Sequence, residues 1–372
     1  MTKSESSYSR IVKLTTWFVV CAFACNSSSS TSPAKTESAK TESAKTGEAA
    51  TTKAAVDVHV DRRIELMAIL QRLARAAEYL GTPASSYVSA VDAHFGPFSN
   101  HPAVVATREL RQKYGISYDA PMWLAIQLDD KLELRGPPGD PRWSTVDIPG
   151  YLATLREFVT ATGLDAFLAQ HAAYFAKVED RLRTAITKED PGSWFDTFFG
   201  ARAGTRFVVV PGLLCGTRNF GPRTDSELYQ IIGITRVDFD ELPTFDPLTL
   251  ELVVHEMAHS YINPVFAKHH GELAAHGQRL FAQVEAPMRK QAYPNWQTML
   301  DEQGVRAVTV LYLRQRKGPE VAKRAADGEV GRGFLWTPAL ADLLAEYGSS
   351  RAKYADLEAF MPRVVQFFAD AQ

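Results

Sequence analysis

Cysteine is scarce in this chain, and the few cysteines present exclude a disulfide framework. Only three occur among 372 residues. Cys21 and Cys25 fall within the N-terminal 25 residues, which leaves Cys215 without an intramolecular partner. We therefore interpret Cys215 as a small buried residue rather than a nucleophile, and we expect no intramolecular disulfide in the mature protein.

The sequence also lacks a strong excess of charge and lacks any apolar run long enough to cross a membrane. The formal net charge is −2, which gives no indication of nucleic acid or of an anionic membrane surface as a partner. The apolar run from Leu14 to Ala24 has 11 residues, whereas a spanning helix needs about 20. Hydrophobic residues make up 45% of the chain, which is ample for a large core.

The first 25 residues are typical of a bacterial export signal, because three basic residues precede the short apolar run. Ala22-Phe-Ala-Cys25 resembles a lipobox, in which Cys25 would become the lipidated first residue; ordinary cleavage near Cys25 is the alternative. Residues 26–56 consist largely of Ser, Thr, Ala, Lys and Glu and are predicted to form a disordered tether. We therefore expect an exported protein that is anchored to the envelope membrane through Cys25, or is otherwise secreted or periplasmic.

The remaining residues, 57–372, are predicted to form one mainly α domain with a small β-sheet, an α+β fold. Residues 57–200 carry apolar side chains at helical spacing and should form a helical half. Residues 201–372 should form the half that holds the candidate site. Helices are predicted over Asp61–Leu80, Gly150–Ala161, Gly163–Thr187, Phe266–Met288, Thr298–Gln315 and within Phe334–Gln372, with a surface loop at 318–333.

Two segments break the helical trend and are strand-like. Arg206–Pro211 and Leu228–Val237 are rich in Val and Ile, and a glycine-rich link joins them. They could form a plain structural hairpin. They could equally offer a free strand edge to which a substrate chain adds.

The most informative stretch is His255-Glu-Met-Ala-His259, which fits the pattern HExxH. Positions i and i+4 of a helix lie one turn apart on the same face, so His255 and His259 can reach one zinc ion. Glu256 can then act as a general base on the water that the zinc activates.

The flanking residues predict that this stretch is a buried helix. Asp246 is a good N-cap with Pro247 after it, and Pro264 is predicted to end the helix after Asn263. Apolar residues cover nearly every side of it. Two imidazoles and a carboxylate in such a helix need polar partners, and a metal ion would supply them.

A catalytic zinc ion generally takes three protein ligands, so a third must come from farther along the chain. We predict Glu302, a carboxylate on an otherwise apolar helix, with Glu285 as the rival. Arg306 lies one turn after Glu302 and could orient it or bind a substrate carboxylate; the alternative is an Arg–Glu helical pair of small value. Tyr261, Tyr312 and Tyr347 are candidates for stabilising an oxyanion, and the sequence does not choose among them.

The segment from His255 to Pro264 resembles the signature of a bacterial family known as domain of unknown function 4932. Asp61–Leu66, Tyr118–Met122, Glu302 with Val305–Ala307, and Arg351–Phe368 are also similar to that family, so that the resemblance spans most of residues 57–370. It implies a secreted or lipid-anchored metallopeptidase with a zincin-like catalytic half. The implied gluzincin-like site consists of His255, His259 and Glu302 as zinc ligands and Glu256 as the base.

The sequence therefore predicts a zinc-dependent hydrolase of peptide bonds in the cell envelope, with a peptide or protein as its substrate. One alternative is a non-catalytic envelope lipoprotein whose metal site is structural or vestigial. Another is a zinc hydrolase acting on an amide outside proteins, such as cell-wall peptide. A fourth protein ligand on the metal would favour the structural alternative.

Overall fold

A computed structural model describes residues 56–200, 206–245, 247–291 and 293–372. The predicted export signal, Cys25 and nearly all of the predicted tether lie outside the described residues. The described part is mainly helical with one small sheet, as predicted. None of its helices is long and apolar enough to cross a membrane. The elements are β1 (Val56–Val58), α1 (Arg62–Leu73), α2 (Ala77–Leu80), α3 (Ser86–Phe95), α4 (Pro102–Tyr114), α5 (Ala120–Ala125), α6 (Ile148–Thr162), α7 (Leu164–Gln170), α8 (Ala172–Thr187), α9 (Pro191–Phe199), β2 (Arg206–Gly212), β3 (Glu227–Gly233), α10 (Pro247–Lys268), α11 (His270–Lys290), α12 (Trp296–Lys317), α13 (Pro319–Gly331), α14 (Thr337–Ser349) and α15 (Leu357–Asp370).

The sheet has the strand order β1-β2-β3, and both pairs are parallel. The two predicted strands therefore do not form a hairpin, and that interpretation was wrong. The link between them doubles back along the outer edge of β3, so that β3 enters the sheet in the same direction as β2. Within this link the Phe220 N–H donates to the Ile231 carbonyl and the Ile231 N–H donates to Phe220, at 3.0 and 2.8 Å.

The sheet has a third strand, β1, at the boundary assigned to the tether. Val56, the last residue of the predicted tether, pairs with Phe207 of β2. Val56 therefore belongs to the fold, one residue before the predicted domain start at residue 57. Three residues are too few to give a strand signal in the sequence.

Each face of the sheet packs against its own hydrophobic core, as is usual for parallel strands. Phe207 and Val209 point to one face and join a core built mainly from α9–α15. Val208 and Val210 alternate with them and join a second core built mainly from α1–α8. The candidate site lies on the first face, between the sheet and α10.

Helix α10 continues through Pro264 to Lys268, so the predicted end after Asn263 was wrong. Pro264 removes one donor, the one that would have bonded the Ser260 carbonyl. The last turn is held by packing, because Ile262 and Phe266 are fully buried beside α12. Asp246, the predicted N-cap, lies outside the described residues.

Other predicted boundaries differ from the structure for local reasons. The helix predicted over Asp61–Leu80 is interrupted at Arg75, which has a φ of 62°. The helix predicted over Gly163–Thr187 is divided at His171, and the one predicted to begin at Phe266 begins at His270. Residues 318–333 form helix α13 rather than a surface loop, because its small residues Ala322 and Ala326 are buried in the core.

Gly304 of α12 allows a close approach to α10. A β-carbon added there would lie 2.8 Å from the Ile262 side chain and 2.9 Å from the Phe266 ring. Such separations are shorter than ordinary van der Waals contact, so only glycine fits without a shift. The contact lies two residues after Glu302, and it therefore helps set how near Glu302 comes to α10.

We predict that Gly304→Ala is less stable than Gly328→Ala by about 1–3 kcal/mol, the usual cost of overpacking a core. Both substitutions add a methyl group to a helix and gain the same helix propensity. A β-carbon on Gly328 meets nothing within 4 Å, so the difference between the variants isolates the clash. Urea denaturation of both variants measures it, and equal free energies of unfolding would contradict the close packing.

Candidate metal centre

Two helices bring three ligand side chains together. His255 and His259 lie one turn apart on α10, and Glu302 lies on α12. The Nε2 atom of His255 is 3.6 Å from one oxygen of Glu302, and the Nε2 atom of His259 is 3.4 Å from the other. All three side chains are buried. The structure thus brings the three residues of the sequence hypothesis to one point.

The donor set fits a metal ion. Its ligand atoms lie within 4.8 Å of one another, so the group could hold a metal ion. The Nε2 atom of His255 is buried and makes no hydrogen bond with the described residues. Burial, reinforced by the neighbouring His259 and Arg306, holds the pKa of the His255 imidazole well below its ordinary value. The ring is therefore neutral near pH 7, which is the form that binds a metal.

Asn263 orients one of the imidazoles. The Nδ1–H of His259 donates to the Asn263 side-chain oxygen over 3.2 Å, one turn farther along α10. Because that oxygen can only accept, the proton lies on Nδ1 and the lone pair of Nε2 faces Glu302. Hydrogen bonds of this kind fix the tautomer and the ring orientation of metal-ligating histidines.

Arg306 holds the third ligand in place. Its guanidinium donates to Glu302 at 2.9 Å, to Glu329 of α13 at 2.6 Å and to the Tyr293 hydroxyl at 3.0 Å. It also lies over the Phe334 ring, 4.1 Å from the centroid. Although burial opposes its charge, the surrounding carboxylates and Tyr293 keep the pKa of Arg306 above its usual value.

The position of Arg306 bears on the two roles considered for it. The residue is only 3% exposed, and its two terminal nitrogens donate to Glu302, Glu329 and Tyr293. This geometry matches orientation of Glu302, and it leaves no open face towards a substrate carboxylate. Arg306 and Glu302 do form a helical pair four residues apart, and that pair is buried.

Other residues of the hypothesis lie elsewhere. Glu285, the rival ligand, pairs with Arg289 on α11 and has a side chain that is 48% exposed. Tyr261 stacks against two aromatic rings of α9, and the Tyr312 hydroxyl donates to the Glu189 carbonyl. Tyr347 likewise packs among aromatic rings of the core. The structure does not bring any of these four side chains to the metal centre.

Glu256 faces a cleft between α10 and the sheet. A β-carbon on Gly221, in the segment that folds along β3, would lie 2.8 Å from a Glu256 carboxylate oxygen. Burial raises the pKa of Glu256, and the carboxylate of Glu302 adds to that effect. A carboxylate with a raised pKa is a stronger proton acceptor than a free one. The cleft is lined by Phe207, Val208, Val209, Gly221, Pro222, Arg223, Leu228, Tyr229, Gln230, Val253, Glu256, Met257, His259 and Ser260.

Several residues of the site were not anticipated from the sequence. Asn263 had a signal, because it follows His259 by one helical turn and can therefore face the same ring. Tyr293 and Glu329 had none, since they reach Arg306 from a loop and from a helix that the sequence did not predict. Gly221 and Gln230 come to the cleft only through the fold of the link and the strand.

Comparisons with known proteins give one match. The family described as "Domain of unknown function (DUF4932)" matches residues 142–367, which include the three ligands, Glu256 and the cleft. The match is shorter than the range 57–370 implied by the resemblance, and it leaves out Asp61–Leu66 and Tyr118–Met122. No curated protein and no solved structure matches the chain.

Losing a residue that hydrogen-bonds to a metal ligand typically lowers metal affinity by roughly 10–100-fold. We predict a larger loss for Glu302→Gln, because Glu302 is itself a candidate ligand. The amide keeps the shape but loses the charge that a cation needs. Metal retained per chain after dialysis against graded chelator measures the effect. The control is Glu285→Gln, the same change at an exposed carboxylate, which should bind metal as the wild type does; the opposite order would reassign the ligand.

Proposed function

The chain belongs to the family described as a domain of unknown function (DUF4932), and we propose that it is a metal-dependent hydrolase of peptide bonds with a zincin-like catalytic half. One observation carries the proposal. Two imidazoles and a carboxylate converge at a buried point beside a cleft, and a further carboxylate, that of Glu256, lines the same cleft. This is the constellation that metal-assisted hydrolysis needs.

Zinc is the proposed metal. Two histidines and one glutamate, with Asn263 orienting one ring, are a ligand set that suits it. A zinc ion held by His255, His259 and Glu302 would polarise the scissile carbonyl and acidify the attacking water. No further His, Cys, Asp or Glu of the described residues joins the group. Structural zinc sites are usually closed by four protein ligands, so a three-ligand group supports catalysis over a structural or vestigial site.

Glu256 is the proposed general base. Its carboxylate would take a proton from the attacking water and pass it to the leaving nitrogen. Arg223 also lines this cleft, and its positive charge lowers the pKa of Glu256, against the effect of burial. Gly221 leaves the space in which the Glu256 carboxylate sits.

The sheet edge supports a peptide as the substrate. The edge of β3 is occupied by the chain's own residues 220–224, so a substrate strand would add to the outer side of that segment instead. The backbone of Gly221 makes no hydrogen bond with the described residues. Outward-facing backbone groups on an edge strand are a template for an extended peptide. That edge lies directly beside Glu256.

Export of the protein and its anchoring to the membrane are proposed from the sequence alone. We propose that residues 1–25 direct export and that Cys25 carries a lipid that tethers the enzyme to the envelope membrane through residues 26–56. Peptide or protein substrates would then be met outside the cytoplasm. A cell-wall peptide would fit the same chemistry, because its amide bonds present the same carbonyl and nitrogen atoms.

We predict about one zinc per chain in the purified full-length protein and a loss of peptide hydrolysis in Glu256→Gln. The loss should be about 10²–10⁴-fold in kcat, the range for removing a general base. Zinc content should stay unchanged, because Glu256 is not among the ligands. Glu251→Gln is the control, since Glu251 lies one turn before His255 on the same helix and does not line the cleft. Equal hydrolysis by wild type and Glu256→Gln would refute the assigned base.

We also predict that Gly221→Ala lowers kcat by displacing the Glu256 carboxylate while zinc content stays the same. The added methyl group would lie 2.8 Å from a carboxylate oxygen, so the carboxylate must move. Gly271→Ala, where a β-carbon meets nothing within 4 Å, should leave hydrolysis unchanged. Steady-state kinetics and metal analysis of both variants check this, and full activity in Gly221→Ala would place the base elsewhere.

A further inference from the structure

Gln230 is a polar residue on an apolar face of the sheet. It lies in β3 between Leu228 and Ile232, on the face that packs against α10, and both of these neighbours belong to the hydrophobic core there. Its side chain is only 4% exposed. A valine or an isoleucine is the usual occupant of such a position.

Both ends of the Gln230 carboxamide lack a hydrogen-bond partner in the described part of the chain. Among the described residues neither its oxygen nor its nitrogen makes a hydrogen bond. Leaving a buried polar group unpaired costs about 1–3 kcal/mol. The other buried glutamines are at least partly paired: Gln71 accepts from Arg111 at 2.6 Å, and the Gln303 amide donates to Thr337, although the Gln303 oxygen makes no hydrogen bond with the described residues.

The unpaired carboxamide lies at the catalytic end of the cleft. Gln230 lines the cleft together with Glu256 and His259. Its oxygen and a Glu256 oxygen both lie within 4 Å of the position that a β-carbon on Gly221 would occupy. Gln230 therefore presents one donor group and one acceptor beside the proposed base and beside the edge of residues 220–224.

We propose that Gln230 binds the substrate by pairing its carboxamide with a backbone amide of a peptide. A peptide group offers a carbonyl acceptor and an N–H donor, which complement the two unsatisfied ends of Gln230. The inference rests on the proposed function for the position of the scissile bond. The amide-binding role of Gln230 is tested by peptide affinity alone, without measuring hydrolysis.

The test uses full-length, zinc-loaded protein in a Glu256→Gln background, in which the peptide is not consumed. Isothermal titration calorimetry measures the affinity for a panel of N-acetylated tripeptide amides that differ in the central side chain. Azide, an anion that binds zinc without offering an amide, is the second probe. Gln230→Met is the variant, because methionine is close in size and has no hydrogen-bonding amide.

We expect Gln230→Met to bind the best tripeptide amide about tenfold more weakly, as the loss of one or two hydrogen bonds predicts. Azide affinity should not change. The thermal midpoint should stay or rise, because no hydrogen bond within the protein is lost. Gln71→Met, the matched control in the other core, should lower the thermal midpoint and leave peptide affinity unchanged. Gln230→Leu repeats the test if the methionine variant does not fold.

Equal tripeptide affinity in the parent and Gln230→Met would overturn the inference, and so would a zinc-loaded parent that binds no tripeptide. Either result is independent of the hydrolysis assay. Conversely, tripeptide binding that depends on Gln230 in a protein that hydrolyses no peptide would sustain this inference and refute the proposed function.

Discussion

The buried contact between α10 and α12 is the constraint on which the rest of the site depends. It places the Glu302 carboxylate 3.4–3.6 Å from two imidazole nitrogens. For His259 the contact is unfavourable when the ring is neutral, because its Nδ1–H is taken by Asn263 and the Nε2 lone pair then faces an acceptor oxygen. Burial also holds the pKa of His255 well below its usual value, which opposes a second proton on that ring. A cation between the three groups would remove the conflict, and the group could hold a metal ion.

The guanidinium of Arg306 explains why the charged carboxylate of Glu302 can be buried. A buried charge is tolerated when it is paired and hydrogen-bonded. Arg306 bonds Glu302 and Glu329 at once, and Arg332 bonds Glu329 from the next turn of chain. The ion pair between Arg306 and Glu329 also links α12 to α13. The segment that was predicted to be a surface loop is therefore a helix that helps to position Arg306. Removing Arg306 would leave the buried Glu302 carboxylate without the guanidinium that pairs with it.

The cleft shows a second departure from an apolar core. Its walls are mostly apolar, yet Glu256, Gln230 and Arg223 stand in it. Gly221 matters here because any side chain would fill the space of the Glu256 carboxylate. Polar groups of this kind weaken a core, and their placement beside the three ligands is what a binding and reaction site requires.

The sequence by itself determined the local features, because these depend on residues close together in the chain. The spacing of His255 and His259 placed both on one face of a helix, the apolar surroundings of Glu302 made it the favoured candidate beside Glu285, and the mainly α class followed from periodicity. The tertiary structure alone decided what depends on distant contacts. It separated Glu302 from Glu285, made the strands parallel, carried α10 past Pro264, and brought Gly221 and Gln230 to Glu256. The reason is that a helix face follows from a period of 3.6 residues, whereas the meeting of two elements depends on the packing of the whole core.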